Sequence, residues 1–150
     1  MVGAILMTFF VAMVPVLELR GALPIGVGMG LPPIVAAIIA MVGNLVPIPF
    51  ILILLRYIFD FLRDKKYTKK LIIWLEKKAD KNRKTIDKYG WLGLVILVAI
   101  PLPGTGAWTG ALVASCLDMN KKQSFAAIAA GVVIAGIIVL AITYGVNALL

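Results

Sequence analysis

The sequence predicts an all-α integral membrane protein. Its expected architecture is two re-entrant helical hairpins plus two transmembrane helices in an inverted repeat, with a basic amphipathic cytoplasmic helical segment. Three observations predict this. Of 150 residues, 62% are hydrophobic and 15% charged, and the mean hydropathy is +1.04; soluble domains run nearer about half apolar and a quarter charged. The net charge of +8 is concentrated, because residues 56–88 alone hold twelve Lys/Arg and five Asp/Glu. Gly and Pro cluster inside two of the apolar blocks, at 21–33 and 101–110. Length and composition together describe one membrane domain over 1–150.

The elements follow in order. A spanning helix needs about 20 apolar residues. Block 2–17 is short of that, and block 21–55 is too long for one crossing. The Gly/Pro density of 21–33 opposes continuous helix, so residues 1–33 read as re-entrant hairpin 1, turning near 18–24. Residues 34–58 read as the first transmembrane helix and 59–88 as the cytoplasmic basic segment. Block 89–117 is broken by Pro101, Pro103, Gly104, Gly106 and Gly110. A kinked span and a re-entrant hairpin compete there. The positive-inside rule favours hairpin 2, since a full crossing would strand Lys121 and Lys122 opposite the basic segment. Residues 123–149 form the second transmembrane helix. The chain is then multi-pass in the cell's inner membrane, with 59–88 and 118–122 cytoplasmic. Residues 1–17 lack the basic n-region and cleavage site of a signal peptide.

Several function classes fall away. With no His and one Cys, the chain can build neither a Cys/His metal site nor a His-based acid–base pair. No cofactor motif is present, and no catalytic constellation, so an enzyme is not expected. The Gly-x-Gly-x-x-x-Gly string at 104–110 lies in no βαβ unit, which excludes a nucleotide reading. The basic loop carries no nucleic-acid motif, so nucleic acid is not an expected partner. Cys116 reads as a small buried hydrophobe.

Glu18 and Arg20 are the only charges before residue 56. A charge at bilayer depth costs about 2.5–3.5 kcal/mol on insertion scales and usually faces a protein interior or a wet cavity. Residues i and i+2 of a helix do not face each other, so each needs a partner elsewhere or an extended backbone. In a functional reading, Arg20 holds an anionic headgroup and Glu18 carries a proton. In a structural one, both bond the exposed backbone of a broken hairpin. At the second tip, a Pro–Gly turn before a helix start aims free N–H groups at the membrane interior, where they favour anions. Gly104 and Gly106 permit close approach, and Thr105 and Thr109 add hydroxyls. A turn satisfied within the protein is the competing reading. Asn44, with Pro47 and Pro49, interrupts the first span; it either bonds freed carbonyls or lines a central cavity. Trp108 reads as core packing.

In the basic segment, Tyr67, Leu71, Trp74, Leu75 and Ala79 recur at helical spacing beside Lys65, Lys66, Lys69, Lys70, Lys77 and Lys78. Such a helix lies on lipid headgroups, unless it only sets topology. Ala127, Gly131 and Ala135, like Ala36 and Ala40, allow close helix approach. Two spans enclose little, so a homodimer is expected.

Three strings carry a family resemblance: Pro15-Val-Leu-Glu-Leu-Arg-Gly-Ala-Leu-Pro-Ile-Gly26, Gly43-Asn-Leu-Val-Pro-Ile-Pro-Phe50 and Ile100-Pro-Leu-Pro-Gly-Thr-Gly-Ala-Trp-Thr-Gly110. In this order, over about residues 14–146, they resemble the putative small multi-drug export protein family. That family is similar to the DedA/VTT membrane proteins, which carry two re-entrant loops and are linked to lipid or lipid-phosphate translocation. The resemblance implies a transporter or lipid-translocating protein with membrane lipids as partners. Combined with the residue reading, it predicts a small anionic or amphiphilic substrate bound near Glu18, Arg20, Asn44, Gly104, Thr105, Gly106 and Thr109, with proton coupling through Glu18. A non-transporting, lipid-organising scaffold is the alternative.

Overall fold

The computed structural model describes residues 1–63, 69–70, 73–74, 77, 90–102, 105–117 and 119–149. Among them are seven helices: α1 (Val2–Met13), α2 (Glu18–Gly28), α3 (Pro33–Leu45), α4 (Ile48–Arg63), α5 (Trp91–Ala99), α6 (Ala107–Cys116) and α7 (Lys121–Leu149). Among the described residues there is no strand. The stretches Pro33–Phe61 and Lys121–Val146 are long and apolar enough to cross a membrane. The expectations for Lys65, Lys66, Lys78 and Gly104 lie outside the described residues. Lys69, Lys70, Trp74 and Lys77 are helical and exposed.

The stretch 21–33 is broken, but only after Gly28, where a turn with Gly30 at φ +94° leads into α3; α2 before it is continuous. It runs unbroken through Gly21, Pro24 and Gly26, and the first turn of the chain falls at 14–17 rather than 18–24. Packing overrides propensity here. Leu19, Ala22 and Leu23 are fully buried, and Gly26 sits against Thr8 and Ala36 where a Cβ would not fit. Pro24 leaves only one helical N–H missing. In contrast, the expected single helix over 34–58 is divided at 46–47. Pro47 and Pro49 cannot donate to the carbonyls of Gly43 and Leu45; regular bonding resumes with Ile51 N–H to Pro47 O at 2.9 Å. At the start of α7, Asn120 Oδ1 accepts from the Lys122 N–H at 2.9 Å, a side-chain cap for an otherwise unpaired donor.

Helices α1, α2 and α3 pack on one another, as do α5, α6 and α7; the two groups meet where α3 and α2 lie on α7 and α4 lies on α6. Leu19, Leu23, Ile48, Leu94, Val98, Ile128 and Val132 form one continuous core. The outer surface is apolar: Leu6, Phe10, Ile38, Phe50, Ile137 and Ile142 are all exposed, as lipid requires and water does not favour.

The small-residue stripes pack inside the chain. Ala36, Ala40, Ala127 and Ala135 are buried, and a Cβ on Gly131 would lie 2.6 Å from Val98 Cβ and 2.9 Å from the Val95 carbonyl. The carbonyl belongs to helix backbone and cannot step aside. Gly131→Ala is therefore expected to destabilise the protein by about 1–3 kcal/mol. Gly145→Ala, in the same helix, meets nothing and gains helix propensity, worth up to about 1 kcal/mol. Thermal unfolding in detergent should move in opposite directions for the two variants. Equal shifts would reject the contact at Gly131.

Candidate functional site between two helical turns

The first turn, Val14-Pro-Val-Leu17, delivers Glu18 with φ +47°, a left-handed conformation that non-glycine residues rarely adopt. The chain is anchored there by Glu18 N–H donating to Val14 O at 2.9 Å. Helix α2 begins at once, so Glu18 and Arg20 project from its first turn beside the second tip. Each finds its partners on that tip, 80 to 90 residues away, rather than in the other.

At the second tip, α5 stops at Ala99 before Pro101, leaving the following carbonyls without helical donors. Arg20 supplies them. Its Nη1 donates to Leu102 O and Thr105 O, both at 2.6 Å; its Nη2 donates to Ile100 O at 2.7 Å and to Thr105 Oγ1 at 3.0 Å. The Thr105 hydroxyl can in turn donate to Ile100 O or Leu102 O, each 2.7 Å away. One planar cation thus gathers four acceptors on a turn whose described main-chain hydrogen bonds are Leu102 N–H to Ile100 O at 2.9 Å and Thr105 N–H to Leu102 O at 3.2 Å. Lysine, with a single nitrogen, could not do this.

Glu18 serves the start of α6. Its Oε1 accepts from the Trp108 N–H at 3.1 Å, and the Ala107 N–H also faces the carboxylate. A carboxylate at a helix N-terminus satisfies unpaired donors and complements the positive end of the dipole. Gly106 makes the approach possible. Its φ of +132° and ψ of −170° belong almost exclusively to glycine, and a Cβ there would collide with the Glu18 carboxylate.

Between the turns lies an open cavity of about 560 Å³, lined by Glu18, Arg20, Thr105 and Thr109 together with Pro15, Val16, Leu17, Gly21, Pro101 and Leu102. It has charges and hydroxyls within and exposed Val16 and Leu102 at its edge, a mixed lining that suits an amphiphile. Five of the seven expected site residues are therefore together: Glu18, Arg20, Thr105 and Thr109 on the cavity and Gly106 behind Glu18. Asn44 is not on it. It is buried on α3, and its Oδ1 has no partner among the described residues.

Sequence reasoning offered exposed backbone as one set of partners for Glu18 and Arg20, but did not assign that backbone to the second tip. The carbonyls of Ile100, Leu102 and Thr105 and the N–H of Trp108 are as much a part of it as any side chain. Trp108 does pack against the core, but its main-chain N–H is what Glu18 holds. The signal available was the want of helical partners around Pro101 and Gly106; nothing in the sequence paired that want with Glu18 and Arg20.

Two apolar helices of spanning length, an apolar exterior and a polar cavity between helical turns define an all-helical membrane protein. The chain belongs to the putative small multi-drug export protein family, whose model matches residues 18–138. That match begins at Glu18 and takes in both turns' polar residues. The family is one of export proteins, a transport role rather than an enzyme class. No curated protein and no solved structure matches the chain.

Proposed function

We propose that this protein moves a small anionic or amphiphilic substrate, lipid included, across the inner membrane through the cavity between two re-entrant hairpin tips, with Glu18 coupling the movement to protons. The observation that carries the reading is the position of Glu18: its carboxylate occupies the N-terminus of α6 beside Arg20, where a substrate anion would also be drawn. Glu18 acts as a resident anion. Protonation weakens its hold on the Trp108 N–H, and the substrate's phosphate or carboxylate takes its place. Arg20 keeps the second tip together while Thr105 and Thr109 offer hydroxyls.

The inverted repeat is part of this proposal. It is supported by the recurrence of one contact. Gly43 of α3 meets the Phe9 carbonyl of α1, and Gly131 of α7 meets the Val95 carbonyl of α5. In each half a short helix runs beside a spanning one, as in transporters built from opposed repeats. A distant kinship with DedA/VTT proteins and a cytoplasmic, headgroup-docked 59–88 segment belong to the same reading. So does a homodimer, with an expected native mass of twice the 16.1 kDa chain.

One observation favours a second reading, a non-transporting scaffold. The four acceptors of Arg20 on the second tip are the protein's own, as a brace requires. Reconstituted vesicles separate the two. Under an imposed pH gradient, the parent protein should move headgroup-labelled anionic lipid, and Glu18→Gln should not, while still assembling, because the amide oxygen can accept from Trp108. Normal transport by the Gln variant defeats proton coupling. No movement by the parent protein leaves the scaffold.

A further inference from the structure

A second cavity lies away from the hairpin tips, between α4 and the start of α7. It holds about 300 Å³ and is lined by Pro49, Leu52, Ile53, Lys121, Lys122 and Phe125. Through Ile53 it continues into an apolar groove of about 390 Å³ along Phe50, Leu54 and Tyr57. We propose that this groove binds one anionic phospholipid, with its phosphate between Lys121 and Lys122 and an acyl chain laid along Ile53 toward Phe50.

Three observations support that occupant. First, the charge is complementary. Among the described residues no carboxylate pairs with either lysine, and two ammonium groups at the head of an apolar groove match a phosphate joined to a hydrocarbon chain. Basic pockets between membrane helices bind such headgroups. Second, the groove is built rather than incidental. Arg56 Nη2 donates to Met119 O at 2.6 Å, tying α4 to the residues before α7. Asn120 caps α7 at Lys122, so both walls and the cationic end are held in place. Third, the cationic end of the groove sits beside residue types that favour a membrane–water boundary. Trp91 Nε1 donates to Gln123 O at 2.8 Å one residue past the lysines, and exposed Trp91 and Tyr57 are the amphipathic residues that mark a membrane–water boundary. The proposal does not depend on transport, since no residue of this groove lines the hairpin cavity.

Native mass spectrometry of the full chain tests it, after exchange from detergent containing phosphatidylglycerol or phosphatidylcholine of identical chains. The parent protein should retain one phosphatidylglycerol in preference to phosphatidylcholine. Lys121→Gln/Lys122→Gln should weaken that retention by roughly thirtyfold, and Lys121→Arg/Lys122→Arg should restore it. Ile53→Ser, at an exposed position, should weaken retention with both lysines intact. Glycerol phosphate, which has no chains, should not displace the lipid; displacement would mean a phosphate site without a lipid groove. Equal retention of the two lipids, or retention unchanged in the double Gln variant, overturns the proposal. A double Gln variant that halves the native mass without altering lipid retention would show instead that a second copy covers the groove.

Discussion

Arg20→Ala is expected to lower the midpoint of thermal unfolding in detergent by roughly 6–12 °C. The figure follows from three main-chain carbonyls. Ile100, Leu102 and Thr105 all lose a charged donor; Ile100 O and Leu102 O keep a main-chain N–H, and each lost hydrogen bond to the guanidinium is worth about 1–3 kcal/mol. The site is half open, so the lower bound applies to each, giving about 3 kcal/mol in total. For a chain of this size, 1 kcal/mol shifts the midpoint by about 2–4 °C. Arg20→Lys should recover only part of the loss, because the ammonium keeps the charge but not the fork. Protease sensitivity should rise at 100–102 and 105–106 before the other described segments. An unchanged midpoint would mean that Arg20 does not hold the second tip.

Gly106→Ala should be at least as damaging, by about 3–5 kcal/mol. Two causes add. The backbone conformation at φ +132° is strained for any residue with a Cβ, by about 1–3 kcal/mol. The new methyl also collides with Glu18 and drives it from the Trp108 N–H, forfeiting a hydrogen bond to a charged group worth about 1.5–3 kcal/mol. The second cause can be isolated. In a Glu18→Ala background there is no carboxylate to displace, so Gly106→Ala should cost about 1.5–3 kcal/mol less than in the parent. Strict additivity of the two substitutions would show that Gly106 acts through backbone conformation alone.

Much of the architecture is legible in particular residues. Pro47 and Pro49 announce the break between α3 and α4, and the apolar run 123–149 announces α7. The stretch 21–28 misleads because Gly21, Pro24 and Gly26 lower local helix propensity, whereas Leu19, Leu23 and the close seat of Gly26 on Thr8 outweigh it. The charged pair Glu18 and Arg20 is conspicuous in the sequence, and so is the glycine- and proline-rich second turn.

From the sequence by itself come the helical class, the membrane environment and the places where helices stop, because these depend on apolar content and on residues that lack a donor or a side chain. Which groups meet across the interior was decided only by the tertiary structure. The carbonyls of Ile100, Leu102 and Thr105 and the N–H groups at 107–108 could have drawn their remaining partners from water, from neighbours or from a ligand. They draw them from Arg20 and Glu18, 80 to 90 residues earlier, because α2 on α7 and α4 on α6 bring the two turns together. Hydrogen-bond partners at such separation are set by how helices pack, and local propensity carries no record of that.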